Sequence, residues 1–399
     1  MDHAPSDPPP RGTRSAAAAA AFALWSTMTG TTIPTPLYPL YERAFDFSSL
    51  TVTVVFAVYA IGVVVGLLAF GRLSDQIGRR PVMAIAALLS AFAAGVFLAA
   101  QDVTVMLVGR VFSGFAAALI TGSATAAITE LMPSGGRVGP ATVALFANMG
   151  GLASGTLLAG ILADAAPWPL RTPWVVSLAL SLIALAWVLA GRESAEFRSG
   201  FELRWQRLRI PQEIRGAFLR SAMAAGAGFA VLGVLTSVTG LFLGTVLHST
   251  SHTLTGAVVF TAFLCTALGQ LLVRLFRPST ALTVACAGLI AAAALIATAM
   301  AVESLAPLFA GAAVVGLATG MAVGHGVSTI ATRVAAERRG EAFSTFFAIL
   351  YTMLALPAVG VGVLIELTSL RPAGGIFSGL VALLALAVLV SLGRRKRAR

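Results

Sequence analysis

The chain has 399 residues, 58% of them hydrophobic and only 11% charged, with a mean hydropathy of +0.91. A soluble domain carries charge on about a quarter of its residues, so a surface that faces water on all sides is excluded. The formal net charge of +11 does not mark a nucleic-acid binder either. The arginines fall in short segments between apolar runs, which is a membrane pattern and not a polyanion-binding face.

In chain order, Arg11 and Arg14 precede an apolar stretch from Ala16 to Trp25 that resembles a secretory signal. The apolar character runs on through Thr32 to Pro36, so this stretch is read as an uncleaved first span behind a disordered cytoplasmic tail, 1–14. Crossing a bilayer takes about 20 apolar residues, and the sequence offers twelve such runs: 15–37, 51–71, 81–100, 103–125, 139–163, 172–191, 217–247, 253–275, 280–302, 305–331, 342–368 and 373–393. Between the sixth and seventh lies a polar linker, 192–216, with six arginines and four glutamates from Arg192 to Arg215. A basic tail, 394–399, closes the chain. The expected fold is an all-α membrane protein of twelve transmembrane helices in two six-helix bundles, 15–191 and 217–393.

Arginine placement sets the orientation. With both termini cytoplasmic, the inner loops collect Arg72, Arg79, Arg80, Arg137, the linker arginines, Arg274, Arg277, Arg333, Arg338 and Arg339, and the outer loops keep Arg43, Arg171 and Arg371. The halves also read as a repeat: Gly71-x-Leu73 matches Gly269-x-Leu271, Gly109 and Gly114 match Gly311 and Gly316, and Arg137 matches Arg339. Two like bundles imply a pseudo-two-fold axis with a solute cleft between them.

Between spans 2 and 3 stands Gly71-Arg72-Leu73-Ser74-Asp75-Gln76-Ile77-Gly78-Arg79-Arg80. Gly71 and Gly78 suit a tight reversal, and Asp75 is a negative charge among arginines. Span 4 carries Arg110 and Gly114 in Gly109-Arg110-Val111-Phe112-Ser113-Gly114-Phe115-Ala116. Eight residues past Asp102, Arg110 lies roughly 12 Å inside the membrane. It either faces a wet cavity or a partner, or snorkels to the outer surface.

These two segments resemble the major facilitator superfamily, through its loop signature G-x-L-x-D-x-x-G-R-[RK] and its span-4 pattern R-x-x-x-G. The resemblance implies that Asp75 and Arg79 form a gate latch, with Asp75 facing the start of span 11 near Phe343 to Thr345. It also implies that Arg110 serves proton coupling or cavity organisation. Glu130, at the inner end of span 4, is a candidate partner for Arg72 or Arg79. Two departures stand out. Span 5 reads Gly150-Gly151-Leu152-Ala153-Ser154-Gly155-Thr156, without the Gly-Pro pair of many exporters of the family. The second-half loop has Val273 and Phe276 where the aspartate and glycine would be.

By the resemblance, spans 1, 4, 7 and 10 line the cleft, which nominates Thr31, Thr236 and His325, with Asn148 and Tyr351 nearby. No Asp or Glu lies mid-span. His325 reads as a hydrogen-bonded packing residue or as a titrating one, while His248 and His252 read as solvated loop residues. Cys265 and Cys286 read as small buried hydrophobes, and no metal-ligand spacing surrounds them. The expected function is secondary transport of a small organic solute by alternating access, as a proton-coupled exporter of apolar or amphipathic compounds. The alternative is uptake of a metabolite or organic acid. Enzyme motifs and a nucleotide-binding loop are missing, so no cofactor is expected. The expected partners are the solute, the lipid bilayer and protons, without nucleic acid, for a monomer in a bacterial inner membrane.

Overall fold

A computed structural model of the chain describes residues 11–133, 138–194, 208–210 and 212–397. Residues 1–10 of the tail, Arg137 and most of the linker fall outside the described residues, whereas 11–14, expected to be part of a disordered tail, form the start of the first helix. In chain order the helices are α1 (Arg11–Thr32), α2 (Pro34–Phe45), α3 (Ser49–Phe70), α4 (Leu73–Ile77), α5 (Arg79–Leu98), α6 (Val103–Leu131), α7 (Pro140–Ala165) and α8 (Thr172–Ala190). The second half follows with α9 (Arg215–Thr245), α10 (His252–Leu272), α11 (Pro278–Val302), α12 (Leu305–Arg333), α13 (Ala336–Leu367) and α14 (Leu370–Arg397). In a lipid interior every backbone amide must be satisfied within its own segment, and helices meet that demand.

Eleven segments among the described residues are long and apolar enough to cross a bilayer. The first span is the exception, because Ser26, Thr27, Thr29, Thr31 and Thr32 lower its hydropathy. All five are buried. Thr29 Oγ1 donates to the Trp25 carbonyl (2.8 Å) and lies 3.2 Å from that of Gly151, and Thr32 Oγ1 donates to the Leu152 carbonyl at 2.8 Å. These hydroxyls therefore bind α1 to α7 instead of facing lipid.

The first span also runs past residue 37. Pro34 and Pro36 bring no N–H to the helical ladder, but Ile33 keeps helical dihedrals (φ −49°, ψ −43°). The chain breaks step without turning away, and α2 continues to Phe45. The added turns bury Tyr38 and Tyr41 and half-bury Glu42.

The two bundles repeat one packing scheme. α6 lies against α3 and α5 in the first, and α12 lies against α10 and α11 in the second. A Cβ added to Gly114 would stand 2.5 Å from the Tyr59 carbonyl oxygen, and one on Gly316 would run into that of Ala262. Each glycine thus lets span 4 of its bundle touch span 2 backbone to backbone. The expected match of Gly71 with Gly269 is not a spatial one. Gly71 caps α3 in the loop, whereas Gly269 lies inside α10 against Leu317. Helix α10 runs through that position and tightens into a 3-10 turn, Val273–Leu275, where the first half opens a loop.

Across the bundle interface, α3 packs on α13 and α7 on α10. We term the side carrying Gly71 to Arg80 the loop face and the opposite side the far face.

Candidate functional site

Helix α6 starts at the far face, where the Asp102 carboxylate caps it by accepting the Val105 N–H (3.0 Å). Two turns in, Arg110 is 1% exposed, so it does not snorkel to the surface. Nη1 donates to the Thr31 carbonyl (2.7 Å), in the last turn of α1 where carbonyls run out of helical donors. Nη2 donates to the Tyr38 hydroxyl (2.5 Å). The guanidinium carbon lies 5.3 Å from the Tyr59 ring centre and 5.9 Å from that of Tyr38, within cation–π range. Nε is buried with no hydrogen-bond partner. Among the described residues no carboxylate pairs with this cation.

The cage joins the two bundles. The Tyr59 side chain lies beside those of Thr31 and of Tyr351 on α13. The Tyr351 ring meets Phe229 of α9 edge-on at 6.1 Å. Tyr41, one turn from Tyr38, accepts from Trp174 Nε1 (2.8 Å), and Trp174 stacks on Phe97 at 4.0 Å. The chain has four tyrosines, and all four lie in this patch.

At the loop face, Gly78 has φ +100°, a conformation open to glycine and strained for other residues. That turn exposes the N–H groups of Arg79 and Arg80 at the start of α5, and both donate to the Glu193 carboxylate, at 2.9 and 3.0 Å. A Cβ on Gly78 would sit 2.7 Å from the same carboxylate. The Arg79 guanidinium gathers Asp75, Ser74 Oγ (2.8 Å) and Glu130 Oε1 (3.0 and 3.2 Å). Of the two partners expected for Glu130, Arg79 is the one it meets. Arg80 donates to the Leu189 carbonyl of α8. The contact from this loop to α13 runs through Arg72, 3.7 Å from Glu341, and Thr345 is bonded to Arg209 of the linker (3.1 Å).

At the far face, Asp164 ends α7 and caps α10. Its carboxylate accepts from Ser251 Oγ (3.0 Å) and from the N–H groups of His252 and Thr253 (2.9 Å each). His252 is not the solvated loop residue expected from sequence. It is half-buried, and its Nδ1 lies 2.9 Å from the Pro36 carbonyl of α2. Thr156 Oγ1 donates to the Gly256 carbonyl (3.0 Å) nearby. Contacts thus bridge the bundles at both faces at once.

The other nominated residues lie elsewhere. Asn148 Nδ2 reaches Thr121 Oγ1 at 3.5 Å, Thr236 Oγ1 bonds its own helix at the Leu232 carbonyl (2.6 Å), and His325 Nδ1 meets Ser221 Oγ of α9 at 2.9 Å. Gly114 packs beneath Tyr59, one turn from Arg110. Tyr38, Tyr59, Glu193, Asp164 and Glu42 escaped the sequence reading.

The family model described as Major Facilitator Superfamily matches residues 20–356. A search by sequence among curated proteins finds no match. The fold is shared with the human organic anion transporter MFSD10 (TETRAN), with a TM-score of 0.67, 15% identity, and 95% of this chain and 100% of that one covered. For a mutant of the nucleoside transporter NupG the figures are 0.70, 15%, 95% and 98%. For a bacterial homologue of the human lysosomal transporter Spinster, inward-facing and unoccupied, they are 0.66, 15%, 96% and 95%. At this identity the likeness speaks for the fold alone. The family match, over most of the chain, carries the conclusion: the protein belongs to the Major Facilitator Superfamily, as a multi-pass membrane transporter working by alternating access and not an enzyme.

Proposed function

We propose that the protein moves a small organic anion, with Arg110 as its binding cation. One observation carries this reading: the Arg110 guanidinium is buried with no carboxylate on it and a donor to spare. A buried cation is costly to leave unpaired, and an anionic solute supplies the missing charge through charge-assisted hydrogen bonds. This favours the organic-acid alternative over apolar compounds. The human protein of like fold is an organic anion transporter, which agrees with this reading. The arginine distribution supports an orientation with the loop face and both termini cytoplasmic, the richness in alanine, arginine and glycine with a single lysine supports a bacterial inner membrane, and the protein is read as a proton-coupled monomer. The test uses proteoliposomes holding a pH-sensitive dye, offered benzoate, nucleosides, sugars and neutral drugs. Transport of benzoate with a pH response is expected; transport confined to uncharged solutes rejects the anion reading.

We infer that the loop network is a gate brace, with Arg79 at its centre. Asp75 is 61% exposed and Arg79 only 14%, and exposed i,i+4 ion pairs contribute about 0.3–0.5 kcal/mol. Arg79 also ties α4 to α6 through Glu130. Arg79→Ala is therefore expected to slow transport several-fold more than Asp75→Asn, at equal membrane abundance. Initial rates of the two variants decide it, and a larger defect in Asp75→Asn refutes the brace.

A further inference from the structure

Above Arg110 on the far-face side stands a carboxylate that the anion site does not use. Glu42 lies one helical turn beyond Tyr38, past the apolar run 15–37, in the last turn of α2. It lines a cavity of about 10 Å³, room for one water, together with Tyr38, Ser49, Ser237, Gly240 and Ile365. These residues come from α2, α3, α9 and α13, so the cavity straddles the bundle interface. One of its walls, Tyr38, is the residue whose hydroxyl holds Arg110 at 2.5 Å. Glu42 Oε1 accepts from Ser49 Oγ at 3.1 Å.

The charged surroundings of Glu42 are sparse. On its own helix stand Arg43 and the exposed Asp46. The neighbouring α7 and α10 bring Asp164, whose carboxylate accepts the His252 N–H, and His252, whose Nδ1 lies 2.9 Å from the Pro36 carbonyl. On α13 the next residue after Ile365 is Glu366, which is exposed.

We propose that Glu42 is a proton-controlled charge filter at the far-face mouth of the Arg110 path. This rests on reading Arg110 as the anion site. As a carboxylate, Glu42 sets a negative charge where an anion must pass, and like charges at close range repel most strongly in a water-poor site. When one oxygen takes a proton from water, the mouth becomes neutral and the anion passes to Arg110. Loss of that proton to water restores the barrier, and no other bond changes. Passage is then favoured by low pH at the far face and closed by high pH there.

The variant Glu42→Gln is permanently neutral and keeps a carbonyl oxygen for Ser49, so its fold contact survives. The probe is 4-toluenesulfonate, an anion whose own charge does not titrate, offered to proteoliposomes at varied far-face pH. Wild-type uptake is expected to fall by about tenfold per pH unit once Glu42 ionises, as the protonated fraction does. Glu42→Gln is expected to keep its uptake at high pH and exceed the wild type there, and Glu42→Asp to regain the decline. A wild-type decline retained in Glu42→Gln overturns the proposal. A second arm needs no solute. The infrared band of protonated carboxylic acids, followed against pH in lipid nanodiscs, should lose one titrating component in Glu42→Gln relative to the wild type. Identical spectra also overturn the proposal. If the wild type moves no anion at any pH, it is the Arg110 reading that fails, and the infrared arm still decides whether Glu42 titrates.

Discussion

Arg110→Met is expected to abolish anion binding while leaving thermal stability unchanged or raised. Truncating one member of a buried, hydrogen-bonded charge pair costs about 2–5 kcal/mol, or roughly 30-fold to several-thousand-fold in Kd. Stability should move the other way. The Arg110 guanidinium sits among a carbonyl, a hydroxyl and two aromatic rings, with Nε unbonded. Replacing a buried ionic group by an apolar side chain of similar length is often neutral or stabilising. Arg110→Lys keeps the charge but loses the planar fork that spans Thr31 and Tyr38, so it should bind anions weakly. Titration of tryptophan fluorescence with benzoate gives Kd, and a thermal melt of the same samples gives stability. Wild-type affinity in Arg110→Met would sink the anion reading. A large drop in melting temperature would make Arg110 a structural residue first.

Asp164→Ala is expected to loosen the far face. Removing an acceptor from the first N–H groups of a helix costs about 0.5–2 kcal/mol, and here the first two N–H groups of α10 and the hydroxyl of its N-cap, Ser251, lose their acceptor together. Because Asp164 lies on α7, in the other bundle, that cost falls on the closed state of the interface and not on the helix alone. The population open at the far face should rise by roughly 2- to 30-fold. Spin labels at the exposed Arg171 and Thr245 report the separation by pulsed electron resonance. Unchanged distance distributions in Asp164→Ala would mean that the Thr156–Gly256 and His252–Pro36 contacts close this face without it.

The spans were legible because the bilayer fixes their length, and the loop signature because charges are rare enough for spacing to stand out. The break at Pro34 and Pro36 was harder. The apolar run stops at residue 37, whereas Ile33 keeps the helix turning and the helix beyond it carries Tyr38 and Glu42 inward. Arg110 was singled out by its depth, but its cage comes from α1, α2, α3 and α13, helices far apart in the chain. Thr236, Asn148 and His325 were chosen by the helix they belong to. In helices that are apolar all round, the sequence does not tell which side a hydroxyl faces, and Thr236 turns back on its own carbonyl. One signal was available and went unused: a chain of this length with four tyrosines, three of them within 22 residues, had little reason to spend them outside a site.

The hydroxyl-rich first span carries a consequence for biogenesis. Its residues are not apolar enough to count as a bilayer span on their own, and Thr29 and Thr32 reach acceptors on α7 that lie more than a hundred residues later in the chain. During synthesis α1 emerges long before those acceptors exist. Its stable integration into lipid is then expected to depend on the arrival of α7. Chains truncated before α7 should leave the first segment extractable from the membrane, and chains extended past it should not.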